Sequence, residues 1–196
     1  MTRRRAGRTT ALSGALIGVG VPLALLAAIQ LSYAAVFLAK DEALALAFPG
    51  AERVEERTFI LTDAQKEDVE RRARAKLETQ LWTIHVGWKG TEVQGYAIID
   101  THNVRTLPET FMAVIEPNGS LRRVDVLAFH EPPEYLPTDR WFGQFPGRKL
   151  DDDLKLGAGI QGITGATLSA QAMTSGVRRA LALVAVLFQP AAGEGK

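Results

Sequence analysis

The longest uncharged segment of this chain lies near the N-terminus, and it limits what the following residues can fold into. Residues 9–39 contain no charged side chain, and the residues before them include four arginines. A helix of that length exceeds the roughly 30 Å of hydrocarbon in a bilayer. Because positive charge precedes the segment and the acidic Asp41 and Glu42 follow it, the N-terminus is expected in the cytoplasm. The sequence therefore predicts one membrane-spanning helix, with the later residues exported.

A cleaved signal peptide is the alternative explanation of this segment. Residues 32–34, Ser-Tyr-Ala, place small side chains at the spacing of a cleavage site. The uncharged run is, however, about twice as long as the usual apolar core of a signal peptide, which favours a retained anchor. We accordingly predict a cytoplasmic stub and anchor over residues 1–40, in a bacterial inner membrane. Residues 41–196 are predicted to form an exported domain on the periplasmic or extracytoplasmic side.

The composition argues against several classes of function. The formal net charge of +1 provides no field that would attract nucleic acid. The chain has no cysteine and three histidines, so disulfides and cysteine nucleophiles are excluded and little remains for a metal site. The acidic residues 151–153 are best explained by a solvated turn, because the further oxygen ligands of a calcium loop are missing. We predict neither a metal nor a nucleic-acid partner.

Four segments of the predicted exported part have the composition of strands. Residues 81–88 and 92–100 are rich in β-branched and aromatic side chains and are separated by a Lys-Gly pair. Residues 109–117 and 120–131 flank Asn118-Gly119, which is a strong hairpin signal. These patterns predict an antiparallel sheet of about four strands.

Three other segments are predicted to be helical. Residues 41–48 are interpreted as a helix that continues the anchor. Thr62 followed by Gln65 is a capping-box pattern at the start of a charged, solvated helix. The last helix is expected over residues 168–188, where apolar side chains recur at helical spacing. The fold class is therefore α+β: a single N-terminal transmembrane helix, then one antiparallel-sheet domain with flanking helices.

Residues 157–162, Gly-Ala-Gly-Ile-Gln-Gly, match the pattern of a dinucleotide-binding turn, but their context does not. That pattern is meaningful only after a buried parallel strand and with an acidic residue about twenty positions later. An acidic segment precedes it here, and the positions near 182 are apolar. We therefore reject a Rossmann interpretation.

Residues 164–169, Thr-Gly-Ala-Thr-Leu-Ser, place three hydroxyl side chains just before and within the start of the last helix. An ordinary helix cap, in which one hydroxyl accepts a hydrogen bond from a free N–H, is one explanation. The other is a phosphate-bearing hydroxyl. Small residues would leave the Thr167 oxygen uncovered, and the first N–H groups of the helix would favour an anion there.

This segment resembles the attachment motif of the FMN-binding domain family, as found in subunits of Rnf complexes, in sodium-pumping NADH:quinone oxidoreductases and in NosR-type regulators. The family pattern is close to D-x-x-[ST]-G-A-[ST]-x-[ST], and Gln161 stands here in place of its leading acid. The resemblance extends over residues 43–187. Residues 131–139 differ from the Glu-Thr-Pro-Gly-Leu-Gly stretch of Rnf-type subunits, which favours a more distant branch.

The resemblance implies that a flavin transferase attaches FMN covalently to Thr167 through a phosphoester. Around Thr167, the implied cofactor-binding residues are Thr164, Gly165, Ala166, Leu168 and Ser169. Further candidates for contact with the flavin ring lie on loops or strand ends: His102, Thr106, Leu107, Glu131 and Trp141.

The function expected from the resemblance is electron relay by a membrane-anchored flavoprotein with covalent FMN, on the extracytoplasmic side. Its partners would be the membrane, other subunits of a redox complex and, during maturation, the transferase. It would be an electron-transfer subunit and not a stand-alone enzyme. A flavin-free accessory subunit of a membrane complex is the alternative, supported by Gln161. A redox sensor is a third possibility, although few predicted cytoplasmic residues would transmit its signal.

Overall fold

The computed structural model describes residues 35–189. Among these residues, no helix combines the length and apolar character needed to cross a bilayer. The predicted anchor falls mainly on residues 9–34, outside the described part of the chain, and it remains a prediction.

Within residues 35–189, one antiparallel sheet of six strands forms the centre of the domain, which confirms the α+β class. The spatial order is β1-β6-β5-β4-β3-β2, so successive strands from β2 to β6 are neighbours. All five pairings are antiparallel. The strands are β1 (Ala35–Val36), β2 (Arg53–Ile60), β3 (Leu81–Lys89), β4 (Glu92–Asn103), β5 (Pro108–Ile115) and β6 (Leu121–Phe129).

Strands β3 to β6 correspond to the four that the sequence predicts. The hairpin at Asn118-Gly119 is confirmed: Glu116 N–H donates to the Ser120 carbonyl at 2.8 Å. Ser120 N–H donates to the Asn118 side chain at 2.9 Å, which fixes the turn. The side-chain acceptor of an asparagine here replaces a backbone partner, as expected of a tight turn.

In the described part of the chain, four α-helices accompany the sheet: α1 (Lys40–Ala47), α2 (Asp63–Ala73), α3 (Asp139–Phe142) and α4 (Thr167–Phe188). The capping box of α2 is confirmed. Gln65 N–H donates to the Thr62 hydroxyl at 3.2 Å, and Thr62 N–H donates to the Gln65 side chain at 3.0 Å. Two orphan donors of the first turn are thereby satisfied.

The predicted continuity between the anchor and α1 is wrong. Ala35 and Val36 form β1 and pair with Phe129 and Ala128 of β6, so a strand precedes the helix. Phe37 N–H continues the pairing by donating to the Leu127 carbonyl at 2.8 Å. These residues satisfy the backbone of an edge strand, and that pairing outweighs their helical propensity.

The two faces of the sheet carry different helices. Helices α2 and α4 pack on one face, where the core includes Ile98, Phe111, Met173 and Val177. Helix α1 covers the other face with a smaller cluster that includes Met112. A Cβ added to Gly176 of α4 would lie 2.7 Å from the Phe111 ring, so α4 approaches β5 more closely than any other residue would permit.

A buried group of charged side chains joins α4 to the sheet. Arg179 of α4 donates to the Asp100 carboxylate at 2.7 Å. His102 lies between two carboxylates, with its Nδ1 3.7 Å from Asp100 and its Nε2 3.5 Å from Glu109. Burial alone would lower the pKa of His102, but hydrogen bonding and attraction to Asp100 and Glu109 outweigh it and raise the pKa. The imidazolium form is therefore favoured by the fold.

This raised pKa predicts a pH dependence of stability. Because the folded pKa of His102 lies above the unfolded value of about 6.5, its contribution is complete below that pH and is lost as the pH rises through the folded pKa. Urea titrations from pH 6.5 upward should show a falling free energy of unfolding in the native chain. In His102→Gln the free energy of unfolding should change less over the same pH range.

His85→Gln is the matched control, because burial lowers the pKa of His85 and its contribution changes only below about pH 6.5. If the free energy of unfolding falls with pH equally steeply in His102→Gln and in the native chain, the raised pKa of His102 is contradicted.

Candidate functional site

The loop before α4 turns sharply at Gly165. Its φ of +88° lies in the left-handed region, which a residue with a side chain adopts only at a cost. Ala166 N–H donates back to the Ile163 carbonyl at 3.3 Å, and Ala170 N–H donates to the Ala166 carbonyl at 3.0 Å to begin the helix. Gly165 and Ala166 therefore bring the chain into α4 with little side-chain bulk.

Ala166 occupies the N-cap position of α4, and no side chain caps this end. Thr167 is the first helical residue, and its exposed hydroxyl donates to the Ile163 carbonyl at 3.2 Å. Thr164 is exposed, whereas Ser169 is buried. The structure therefore removes the ordinary helix cap as an explanation of the three hydroxyls, because alanine has no oxygen with which to cap.

Trp141 fixes the start of this loop. Its indole N–H donates to the Gln161 carbonyl at 2.6 Å, and the ring packs edge-on against Phe142 and Phe145. Gln161 N–H donates to the Gln144 side chain at 2.8 Å. Trp141 is buried, and the structure gives it the role of positioning the loop that leads to Thr167.

Glu131 organises a second loop, residues 104–107, between β4 and β5. Its Oε1 accepts from the backbone N–H groups of Arg105 at 3.2 Å, Thr106 at 2.9 Å and Leu107 at 3.0 Å. These bonds, that from Thr106 first, outweigh desolvation and lower the pKa of Glu131. Glu131 is buried and ionised at neutral pH, and it holds this loop in one conformation.

Thr167 lies between two cavities. The smaller, of about 140 Å³, is lined by residues 165–169 with Arg105 and Tyr135. The larger, of about 510 Å³, extends along α4 towards the C-terminal end of α2. Its lining residues are Arg74, Lys155, Leu156, Thr167, Gln171, Thr174, Ser175 and Arg178. Among the described residues, no acidic side chain lines either cavity, so both suit an anionic ligand.

Arg178 closes the inner side of the larger cavity. Its buried guanidinium donates to the carbonyls of Ala73 at 2.7 Å and Arg72 at 3.0 Å, at the end of α2. It also donates to the carbonyls of Asp151 at 2.6 Å and Leu154 at 3.0 Å. A cation at the C-terminal end of a helix satisfies carbonyls that have no partner within the helix. Arg178 thus joins α2, the acidic turn and α4.

The structure brings together some of the residues that the sequence singles out and separates others. Residues 165–169 line the smaller cavity at the start of α4, and Thr164 is exposed just before it. Thr106 and Leu107 lie in the neighbouring loop but do not line either cavity, and neither do Glu131 and Trp141. His102 lies below α4, about 13 Å along the helix from Thr167, since it contacts Gly176 nine residues later. Their proposed contacts with a flavin ring remain predictions.

Sequence reasoning missed Arg105 and Tyr135, which line the smaller cavity. The Arg105 guanidinium lies 5.7 Å from the centre of the Tyr135 ring, within the range of a cation–π contact. Arg105 sits in the second loop and Tyr135 in a 3₁₀ turn at Pro133–Tyr135. The only available signal was their proximity in sequence to Thr106 and Glu131.

Within residues 35–189, no group of three or more histidine, aspartate or glutamate side chains is close enough to hold a metal ion. In the acidic turn, the Asp151 carboxylate accepts from Leu154 N–H at 2.9 Å, and Asp152 pairs with Arg74 at 2.6 Å. These contacts account for two of its three acidic side chains.

The donors around Thr167 fit a phosphate. The residues that line the smaller cavity include Arg105, Tyr135 and Thr167 at the first turn of α4, whose guanidinium, hydroxyl and N–H groups can donate hydrogen bonds. A Cβ added at Gly165 would contact nothing within 4 Å, so the space beside Gly165, two residues before Thr167, is open. A helix start, a cation and an exposed hydroxyl are groups that a phosphate would bind.

Comparison with known proteins supports a flavin as the cofactor. Residues 108–182 match the model of the FMN-binding domain family, which confirms the resemblance drawn from the attachment motif. The match begins at β5 and includes β6, α3, the loop before α4 and most of α4. It indicates a flavin-binding protein and supports FMN as the cofactor. A comparison with curated protein sequences gave no match.

The role of Glu131 predicts a local effect of mutation. Glu131→Ala removes the acceptor of three backbone N–H groups, and hydrogen bonds to a charged group each contribute about 1.5–3 kcal/mol. Hydrogen exchange of the Arg105, Thr106 and Leu107 amides, followed by NMR, should accelerate at least about tenfold. Glu134→Ala, which changes an exposed neighbour, is the control. Unchanged exchange in Glu131→Ala would contradict this role.

Proposed function

We propose that this chain is a membrane-anchored flavoprotein that carries FMN covalently on Thr167 and relays electrons in a membrane redox complex on the extracytoplasmic side. The observation that carries the proposal is the position of Thr167. Its exposed hydroxyl stands at the first turn of α4, beside an alanine cap, within the residues that match the FMN-binding domain family. The hydroxyl makes one hydrogen bond in the fold, to the Ile163 carbonyl.

The three hydroxyls of the segment are not equivalent. Ser169 is buried, and Thr164 precedes the turn at Gly165. Thr167 alone among them lines both cavities, so a group attached to its oxygen has room on either side. The nearby N–H groups at the start of α4 favour the single negative charge of a phosphodiester. These features support Thr167 as the attachment residue.

Attachment requires a separate flavin transferase and FAD. The bond from the Thr167 oxygen to the phosphorus of the FMN moiety forms, the P–O bond to AMP breaks, and AMP and the hydroxyl proton leave. The backbone at Gly165 is exposed and a Cβ built there would meet nothing within 4 Å, which gives such an enzyme access on that side. The residues of this chain present the hydroxyl and neutralise the phosphate; they do not need to activate the nucleophile.

When bound, FMN accepts electrons singly or in pairs. The described residues then position the cofactor: Trp141 and Gln144 hold the loop before α4, and Glu131 holds the loop beside it. Rigid neighbouring loops limit the reorganisation that accompanies a change of charge at the cofactor. A phosphoester keeps the cofactor on a protein outside the cytoplasm, and an anchor over residues 9–34 would keep it near membrane partners.

A flavin-free accessory subunit is the second candidate. Gln161, with its uncharged amide, replaces the leading acid of the attachment pattern and is exposed at the start of the loop. If the transferase requires a carboxylate there, Thr167 would stay unmodified. The following experiment separates the two candidates.

Thr167→Val should abolish flavin attachment while keeping the shape of the side chain. Native protein from cells that express the transferase should give a fluorescent band on a denaturing gel under ultraviolet light. Its intact mass should exceed the polypeptide mass by one FMN less one water. The Thr167→Val band should be dark, and Thr58→Val, which changes an exposed hydroxyl on β2 outside the motif, should remain fluorescent.

A dark native band, obtained with a transferase that labels another acceptor in the same cells, would overturn covalent attachment and favour the accessory subunit. Retained fluorescence in Thr167→Val would move the attachment to another residue.

The anchor has its own test. The full chain should remain in the membrane fraction after an alkaline carbonate wash, because an uncharged run longer than about 20 residues spans the bilayer. Replacing residues 1–34 with a cleavable signal peptide should release the exported domain into the soluble fraction. Complete extraction of the full chain by carbonate would contradict a retained anchor.

A further inference from the structure

We propose that Arg105 binds the phosphate group carried by Thr167 and thereby sets how firmly the attached cofactor is held. This inference rests on the proposed covalent attachment of FMN, and it assigns a residue that the attachment motif does not contain. Three independent observations support it: the position of the side chain, its lack of a carboxylate partner, and the size of the cavity that it lines.

The position of Arg105 is fixed from two directions. Its backbone N–H donates to Glu131 at 3.2 Å, and the next two N–H groups donate to the same oxygen. Its guanidinium lies 5.7 Å from the centre of the Tyr135 ring. Together these contacts direct the side chain towards the cavity that contains Thr167. A cation held in this way loses little freedom when it binds a ligand.

Arg105 is an exposed arginine whose guanidinium pairs with no carboxylate within 4.0 Å among residues 35–189. Most other arginines of this part of the chain do have such a partner: Arg57, Arg71, Arg72, Arg74, Arg122, Arg123 and Arg179. The nearby Glu131 carboxylate accepts from backbone N–H groups through Oε1, and it attracts the Arg105 guanidinium only weakly, without an ion pair within 4.0 Å. The charge of Arg105 is thus available to an anion from outside the chain.

The size of the cavity selects the part of the cofactor that enters it. Cavities that enclose whole drug-sized ligands are usually about 300–1,000 Å³. The cavity between Arg105 and Thr167 has about 140 Å³, which suits a phosphate group and not a three-ring flavin. A guanidinium presents paired N–H groups that match two phosphate oxygens. The first N–H groups of α4 face the same charge from the other side.

The experiment compares each protein produced with and without the transferase. In the native chain, attachment of FMN should raise the melting temperature, because the phosphate then bridges Arg105 and the start of α4. In Arg105→Ala this increase should fall by more than half, and Arg105→Lys should retain an intermediate increase, since it keeps the charge but loses the paired donors. Flavin content per chain is measured in parallel by gel fluorescence.

Arg53→Ala is the matched control, because it also removes an arginine from an aromatic ring, that of Trp88 at 4.9 Å, and Arg53 lines neither of the cavities beside Thr167. The increase in its melting temperature on FMN attachment should equal that of the native chain. If Arg105→Ala takes up no flavin while Arg53→Ala does, the phosphate site is needed before attachment, which also supports the proposal.

If FMN attachment raises the melting temperature of Arg105→Ala as much as that of the native chain, at equal flavin content, the role of Arg105 is overturned. Covalent attachment would then still stand. A dark native band instead overturns the attachment itself, so the two failures are distinguishable.

Discussion

Helix α4 lies so close to the sheet that position 176 must be a glycine, and the rest of the site depends on that contact. A Cβ there would meet the Phe111 ring at 2.7 Å. One turn later, Arg179 pairs with Asp100 at 2.7 Å, and the neighbouring Arg178 binds the end of α2. Close packing and buried polar bonds resist sliding of the helix, because each has partners in one register only. The position of Thr167 is a consequence of where α4 rests.

Two loops beside α4 position the remaining groups of the site. The loop before α4 is held by Trp141 through the Gln161 carbonyl, and the loop between β4 and β5 is held by Glu131. Each uses a buried polar side chain to fix backbone groups, so the surface residues themselves remain free for a ligand. This division is typical of sites in which binding groups are positioned by a second layer of side chains.

The sequence predicts those parts of the fold whose signals are local. The Asn118-Gly119 turn and the Thr62-Gln65 capping box depend on neighbours within four residues, and both form as expected. Strand β2 was not predicted, because charged residues interrupt its alternation on an exposed edge. Strand β1 was hidden in the uncharged run, where only pairing with β6 distinguishes it from the end of a helix. These elements depend on tertiary partners that a local pattern does not contain.

The site follows the same rule: the motif indicates Thr167, whereas Arg105 and Tyr135 come from other segments and meet it only in the fold.

The bond from the Trp141 indole to the Gln161 carbonyl has an optical consequence. Indole emission overlaps flavin absorption, and this indole is attached to the loop that leads to Thr167. In flavin-loaded protein, energy transfer would dim the emission of Trp141, so the chain contains its own spectroscopic indicator of cofactor occupancy.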